Sequence, residues 1–109
     1  MKQSTHDLRA VFIRRDGAFT GFEISGHAGY GEAGSDIVCS AVSSAVMLVC
    51  NAVTDFFGAD ADVTVEENRI VLRLNSFDKP SERLLESFHV HMENIAEDYC
   101  RVKVEIREA

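Results

Sequence analysis

The chain has 109 residues, 46% hydrophobic and 27% charged, which leaves room for one domain with one core. Its 18 acidic and 11 basic residues give a net charge of −7, and that balance argues against a general nucleic-acid binder, which needs a basic face for phosphates. Residues Met1 to Asp7 carry no apolar run behind Lys2, so no secretory signal is expected.

Leu8 to Arg14 reads as a strand, with Val11, Phe12 and Ile13 supplying β-branched and aromatic character. Arg15-Asp16-Gly17 is a turn, and its Asp-Gly pair suits a hairpin. The second strand runs from Ala18 to Gly26, with Phe22 and Ile24 on one side and Glu23 and Ser25 on the other. Glycines 26, 29, 31 and 34 punctuate the loop that follows, and Ser35 or Asp36 can cap the next helix. That helix continues to about Phe57, with Gly58 as its stop.

Ala61 to Glu66 and Arg69 to Leu74 form a second strand pair, turned at Glu67-Asn68 because asparagine tolerates a left-handed backbone. Asp78-Lys79-Pro80-Ser81-Glu82 starts a second helix, with proline where its missing N–H costs little. Leu84, Leu85, Phe88, Met92, Ile95 and Tyr99 recur along it at helical spacing. The last strand, Arg101 to Arg107, turns Val102, Val104 and Ile106 inward and Lys103, Glu105 and Arg107 outward. The order is ββα-ββα-β: a two-layer α+β domain spanning residues 1–109, with a mostly antiparallel sheet and two helices packed on one face.

The run from Ile37 to Phe57 approaches membrane-spanning length, but it contains Ser40, Ser43, Ser44, Asn51, Thr54 and Asp55 and lacks basic anchors at its ends. A mostly buried helix, its outer side packed on a second copy, accounts for it better, so a homodimer away from membranes is expected. Cysteines 39, 50 and 100 are odd in number and show no Cys-x-x-Cys spacing. Cys39 and Cys50 lie roughly 16 Å apart along a helix, out of disulfide reach. A reducing, cytoplasmic setting follows.

The stretch Gly26-His27-Ala28-Gly29-Tyr30-Gly31-Glu32-Ala33-Gly34-Ser35-Asp36-Ile37-Val38-Cys39-Ser40 carries the chemistry. A thiolate is the nucleophilic form of cysteine, and unpaired amides at a helix start stabilise it by roughly 0.3–1 kcal/mol in exposed settings. His27, twelve residues before Cys39, can take the thiol proton and return it to a leaving amine. First-turn amides near Cys39 and Ser40 can hold the oxyanion. Spacing alone leaves a packed cysteine and a turn-capping histidine as the other reading of the pair. His89 and His91, two apart on a helix, make a poor metal pair and read as surface residues. Cys50 and Cys100 read as core or interface cysteines, and Glu66-Glu67, Glu105 and Glu108 as solvated faces. The glycines form no phosphate-loop pattern.

Gly26-His27-Ala28, the glycine loop, and Gly34-Ser35-Asp36-Ile37-Val38-Cys39-Ser40-Ala41-Val42-Ser43 together resemble the signature of the ribosomal-processing cysteine proteases, and the element order extends the resemblance over nearly the whole chain. Ser40 stands where that family often carries alanine. The resemblance implies a usually homodimeric endopeptidase that needs no cofactor or metal. It removes the N-terminal extension of a large-subunit ribosomal protein and has no direct nucleic-acid partner. It makes Cys39 the nucleophile and His27 the general base. Asp36 either orients His27 or only caps the helix. Ser43, one turn after Cys39, either touches substrate or is a buried serine bonded to the preceding turn. Gly26, Gly29, Gly31, Gly34 and Ser40 complete the candidate peptide-binding segment, the glycines acting as hinges. Two further functions fit the same residues: a non-catalytic ribosome-associated module that binds the same peptide, and a redox sensor that oxidises Cys39.

Overall fold

The computed structural model describes residues 8–26 and 37–109, and only the backbone of residues 37–39. Strands β1 (Leu8–Arg15) and β2 (Ala18–Gly26) form an antiparallel hairpin joined by Asp16 and Gly17. Both turn residues have positive φ, 53° and 82°, as a two-residue turn matching the strand twist requires. Helix α1 (Ile37–Asn51) runs into a π-helical turn, Ala52–Phe56, closed by the Phe57 N–H donating to the Ala52 carbonyl at 2.8 Å. Gly58 then reverses the chain at φ 62°, the stop its position predicts.

β3 (Ala61–Glu66) and β4 (Arg69–Leu74) pair antiparallel, α2 (Lys79–Asp98) follows, and β5 (Val102–Glu108) ends the chain order. The sheet order is β3-β4-β2-β1-β5, antiparallel throughout except where β5 lies parallel to β1. The β3–β4 turn falls at Glu67-Asn68 as expected. Its backbone reason does not hold, because Asp16 alone among the described non-glycine residues has positive φ.

One apolar cluster joins both helices to one side of the sheet. Leu8, Ala10 and Phe12 of β1 alternate inward with Phe22 and Ile24 of β2 and Leu72 and Leu74 of β4. α1 presents Val42, Val46 and Val49, and the π turn presents Val53, at spacings of three and four residues. α2 presents Leu85, Phe88 and Met92. The Phe12 ring sits at the centre, 5.4 Å from Phe88 and 6.2 Å from Phe22, while Phe22 meets Phe88 edge-on at 5.2 Å. Each fully buried phenylalanine contributes roughly 1.5–3 kcal/mol by removing its ring from water.

α2 starts as its sequence dictates. The Asp78 carboxylate accepts from the Ser81 N–H at 3.1 Å and from its hydroxyl at 2.5 Å. Glu82 reaches back to accept from the Asp78 N–H at 3.1 Å. These bonds occupy amides that a helix start otherwise leaves unpaired, which explains how Ser81 and Glu82 tolerate burial.

Two expectations about the apolar pattern change. His89 is 8% exposed rather than a surface residue: it stacks on Phe19 at 5.1 Å and meets Phe12 edge-on at 5.0 Å. It lies four residues after Leu85 and one after Phe88, within the core stripe, and its Nε2 stays 3.6 Å from the Glu93 carboxylate. His91 is exposed, as expected. Ile106, expected inward, is 37% exposed, because β5 is an edge strand with a sheet neighbour, β1, on one side alone.

Gly21 pairs with Arg73 so closely that a Cβ on it would lie 2.4 Å from the Leu72 carbonyl oxygen. Gly21→Ala is therefore expected to destabilise the fold by about 1–3 kcal/mol in urea unfolding, through strand separation rather than lost burial. A variant as stable as the parent would contradict that contact.

Candidate active site

β2 ends at Gly26, which has a φ of 84° and donates its N–H to the Asn68 carbonyl at 3.0 Å. An ion-pair cluster holds this end of the strand. Arg69 at the start of β4 meets Glu23 at 2.8 Å and Glu66 at 3.0 Å. Hydrogen bonding to Arg69 holds the Glu23 carboxyl below the usual carboxylate range. Glu66 and Glu105 are thus exposed but engaged rather than simply solvated, Glu105 through a two-pronged contact with Arg9 at 2.8 and 3.1 Å. Glu108 is engaged likewise by Arg14.

Cys39 is the third residue of α1, in the first turn, where helical amides lack carbonyl partners within the helix. Ser40 and Ser43 are both exposed, which removes the buried-serine reading of Ser43. His27, Gly29, Gly31, Gly34 and Asp36 lie outside the described residues, as do the helix-capping roles of Ser35 and Asp36. The structure thus describes Gly26, Ser40 and Ser43, together with the backbone of Cys39.

The other thiols have different surroundings. Cys50 is half-buried near the end of α1, and burial pushes its thiol pKa up. Cys100 is exposed between α2 and β5, which removes the core reading and leaves the interface one. Among the described residues no group of three or more His, Cys, Asp or Glu is placed to hold a metal ion. None of the described helices is long and apolar enough to cross a membrane.

A five-stranded α+β sheet leads from its second strand to a helix with a cysteine in its first turn, and the family match identifies this arrangement as that of a thiol peptidase. Residues 8–103 match the family described as cysteine protease Prp, and the chain belongs to that family: it is a cysteine protease. It is 26% identical over 92 residues to the ribosomal processing cysteine protease Prp of Staphylococcus aureus, covering 82% of this chain and 87% of that one. The crystal structure of SMU.848 from Streptococcus mutans superposes with a TM-score of 0.83 at 31% identity, over 95% of this chain and 97% of that one. A structure of the S. aureus protease, described as essential and as carrying a covalently linked product peptide, has the same fold. Its TM-score is 0.85 at 22% identity, over 92% of this chain and 99% of that one.

The burial of Cys50 has a chemical consequence, since a raised pKa and limited access both slow a thiol's reaction. At pH 8, iodoacetamide is expected to label Cys50 more slowly than the exposed Cys100, as read by peptide mass mapping. Equal rates would show that α1 does not shield Cys50.

Proposed function

We propose that this protein is a single-domain cysteine endopeptidase that removes the N-terminal extension of a large-subunit ribosomal protein. Membership of the Prp family and the processing activity named for its S. aureus relative support the substrate class. The observation that carries the mechanism is the position of Cys39 in the first turn of α1.

Cys39 attacks the scissile carbonyl as thiolate, stabilised by the helix start and by His27 as imidazolium. His27 takes the thiol proton and donates it to the leaving amine, and water then hydrolyses the acyl-enzyme with His27 as base. First-turn amides beside Cys39 and Ser40 hold the oxyanion in both tetrahedral intermediates. Asp36 orients His27 or caps α1. Gly26, Gly29, Gly31 and Gly34 let the connecting segment close on an extended peptide, which Ser40 and Ser43 flank. The reaction needs no cofactor or metal.

The same proposal includes a homodimer, acting in the cytoplasm and on protein rather than nucleic acid. Met47 and Leu48 on the outer side of α1 are 62% and 69% exposed, and Phe56 beyond them is 84% exposed. Apolar side chains grouped on one face favour burial against a second copy. The absence of Cys-x-x-Cys spacing suits a reducing compartment.

Mass spectrometry of the extended ribosomal protein after incubation tests the catalytic roles. A single N-terminal trimming event is expected with the wild type. None is expected with Cys39→Ala, and His27→Ala is expected to lower turnover by orders of magnitude, about 10²–10⁴-fold. Intact substrate with the wild type, binding retained, would instead identify a peptide-binding module. Leu48→Glu is expected to shift the protein from dimer to monomer in analytical ultracentrifugation, and an unchanged mass would place any interface elsewhere.

A further inference from the structure

β5 has β1 on one side, and its other edge offers backbone groups. At the two ends of the β1–β5 ladder, the Leu8 N–H donates to the Arg101 carbonyl at 2.9 Å and the Ala109 N–H donates to the Arg14 carbonyl at 2.8 Å. In a parallel ladder every second residue turns both backbone groups to the same neighbour, so Lys103, Glu105 and Arg107 share this direction with Arg101 and Ala109. Val104 and Ile106 therefore turn their N–H and C=O groups to the outer edge. Their side chains point to the helix side, in register with Ala10 and Phe12 of the core. Val104 is half-buried and Ile106 is 37% exposed.

The flank of α2 above this edge is partly apolar and acidic. Glu93, Ala96 and Glu97 line a groove of about 360 Å³ with Val104. Val90, 51% exposed, lies on the same flank, one turn before Glu93. From Leu84 to Asp98 the helix carries Glu86, Glu93, Glu97 and Asp98 and no lysine or arginine. Arg83 meets Glu86 at 3.6 Å, and the buried His89 lies 3.6 Å from Glu93. Among the described residues Glu97 has no ion-pair partner within 4.0 Å, Arg101 in the following turn included. On β5 itself the helix-side acid, Glu108, is engaged by Arg14, while Lys103, Glu105 and Arg107 project to the other face with alternating sign. The charge left in the groove is negative.

We propose that the β5 edge takes an added strand from a separate partner protein: an extended segment with two basic residues two positions apart and an apolar residue two positions beyond them. Main-chain hydrogen bonds to Val104 and Ile106 supply the pairing, and alternate side chains select the partner. Side chains two apart on a strand stand about 6.6 Å apart on one face. Glu93 and Glu97 are separated by about 6 Å along the helix axis, so successive cations meet successive carboxylates. The apolar side chain then reaches Ile106 and Val90. Intervening side chains face the open side of the sheet, where the mixed charges of β5 suit small polar residues. α1 packs on α2 and α2 on β5, so α2 sets this segment apart from the first turn of α1.

Fluorescence anisotropy of labelled Thr-Lys-Thr-Lys-Thr-Val-Thr and its reverse, Thr-Val-Thr-Lys-Thr-Lys-Thr, against the full chain tests the proposal in both strand directions. Salt-sensitive binding of at least one is expected, weakened about tenfold by Glu93→Gln/Glu97→Gln. Glu93→Lys/Glu97→Lys is expected to prefer the same peptides with Glu in place of Lys, a swap that unfolding cannot mimic. N-methylation of one alternate set of peptide residues is expected to abolish binding, and of the other set to leave it intact. Failure of both peptides to bind, indifference to both glutamates, or equal tolerance of the two methylation patterns overturns the proposal. So does displacement of the peptide by the N-terminal extension of the ribosomal protein, which would assign the edge to substrate. Loss of self-association on Ile106→Lys in analytical ultracentrifugation would assign it to a second copy and overturn the proposal as well.

Discussion

The aromatic contact between Phe12, Phe22 and Phe88 fixes the rest of the molecule. Phe12 and Phe22 face each other across the central hairpin, and Phe88 presses between them from α2. Three rings at these separations seat the helix against the two strands from which the other strands extend outward. Removing one such ring typically costs 3–5 kcal/mol, a large share of what a domain of this size has in hand. The placement of β2, and hence of Gly26 at its end, follows from that contact. So does the parallel pairing of β5 with β1, because α2 must carry the chain back along the sheet before β5 begins.

The two sides of the sheet solve different problems. The helix side excludes water and holds the elements in place. The open side consists of side chains alternating with the core residues, and most of its charge is neutralised across neighbouring strands: Arg9 with Glu105, and Arg69 with Glu23 and Glu66. Exposed pairs of this kind contribute little stability individually.

Much of this architecture was legible in the sequence because local and tertiary preferences agree. Asp16-Gly17 can be read as a hairpin turn, since both residues accept positive φ, and Asp78 through Glu82 can be read as a helix start, since the Asp78 and Glu82 carboxylates each have a backbone amide to satisfy. The errors fall where context decides. Asn68 tolerates a left-handed backbone, but its turn does not use one. Ile106 alternates correctly, but alternation does not reveal that β5 is an edge strand. His89 looked polar, yet the stripe through Leu85, Phe88 and Met92 contains its position, and imidazole stacks on Phe19 as an aromatic ring. At the site, the sequence motif supplied the chemistry, while His27 and Asp36 lie beyond what the structure describes.

The three cysteines show why position within the fold, rather than residue type, decides reactivity. Cys39 and Cys50 belong to one helix, at its third residue and next to its last. Aligned peptide dipoles make the start of a helix favourable for negative charge, whereas Cys50 lies inside the helical run, which continues through the π turn to Phe56. Burial raises the Cys50 thiol pKa, since a thiolate loses more hydration than a thiol does. Cys100, in the turn between α2 and β5, is exposed. In the proposed mechanism the nucleophile sits at the start of α1, where the backbone offers thiolate stabilisation and oxyanion amides together and no additional charged side chain has to be buried to obtain either.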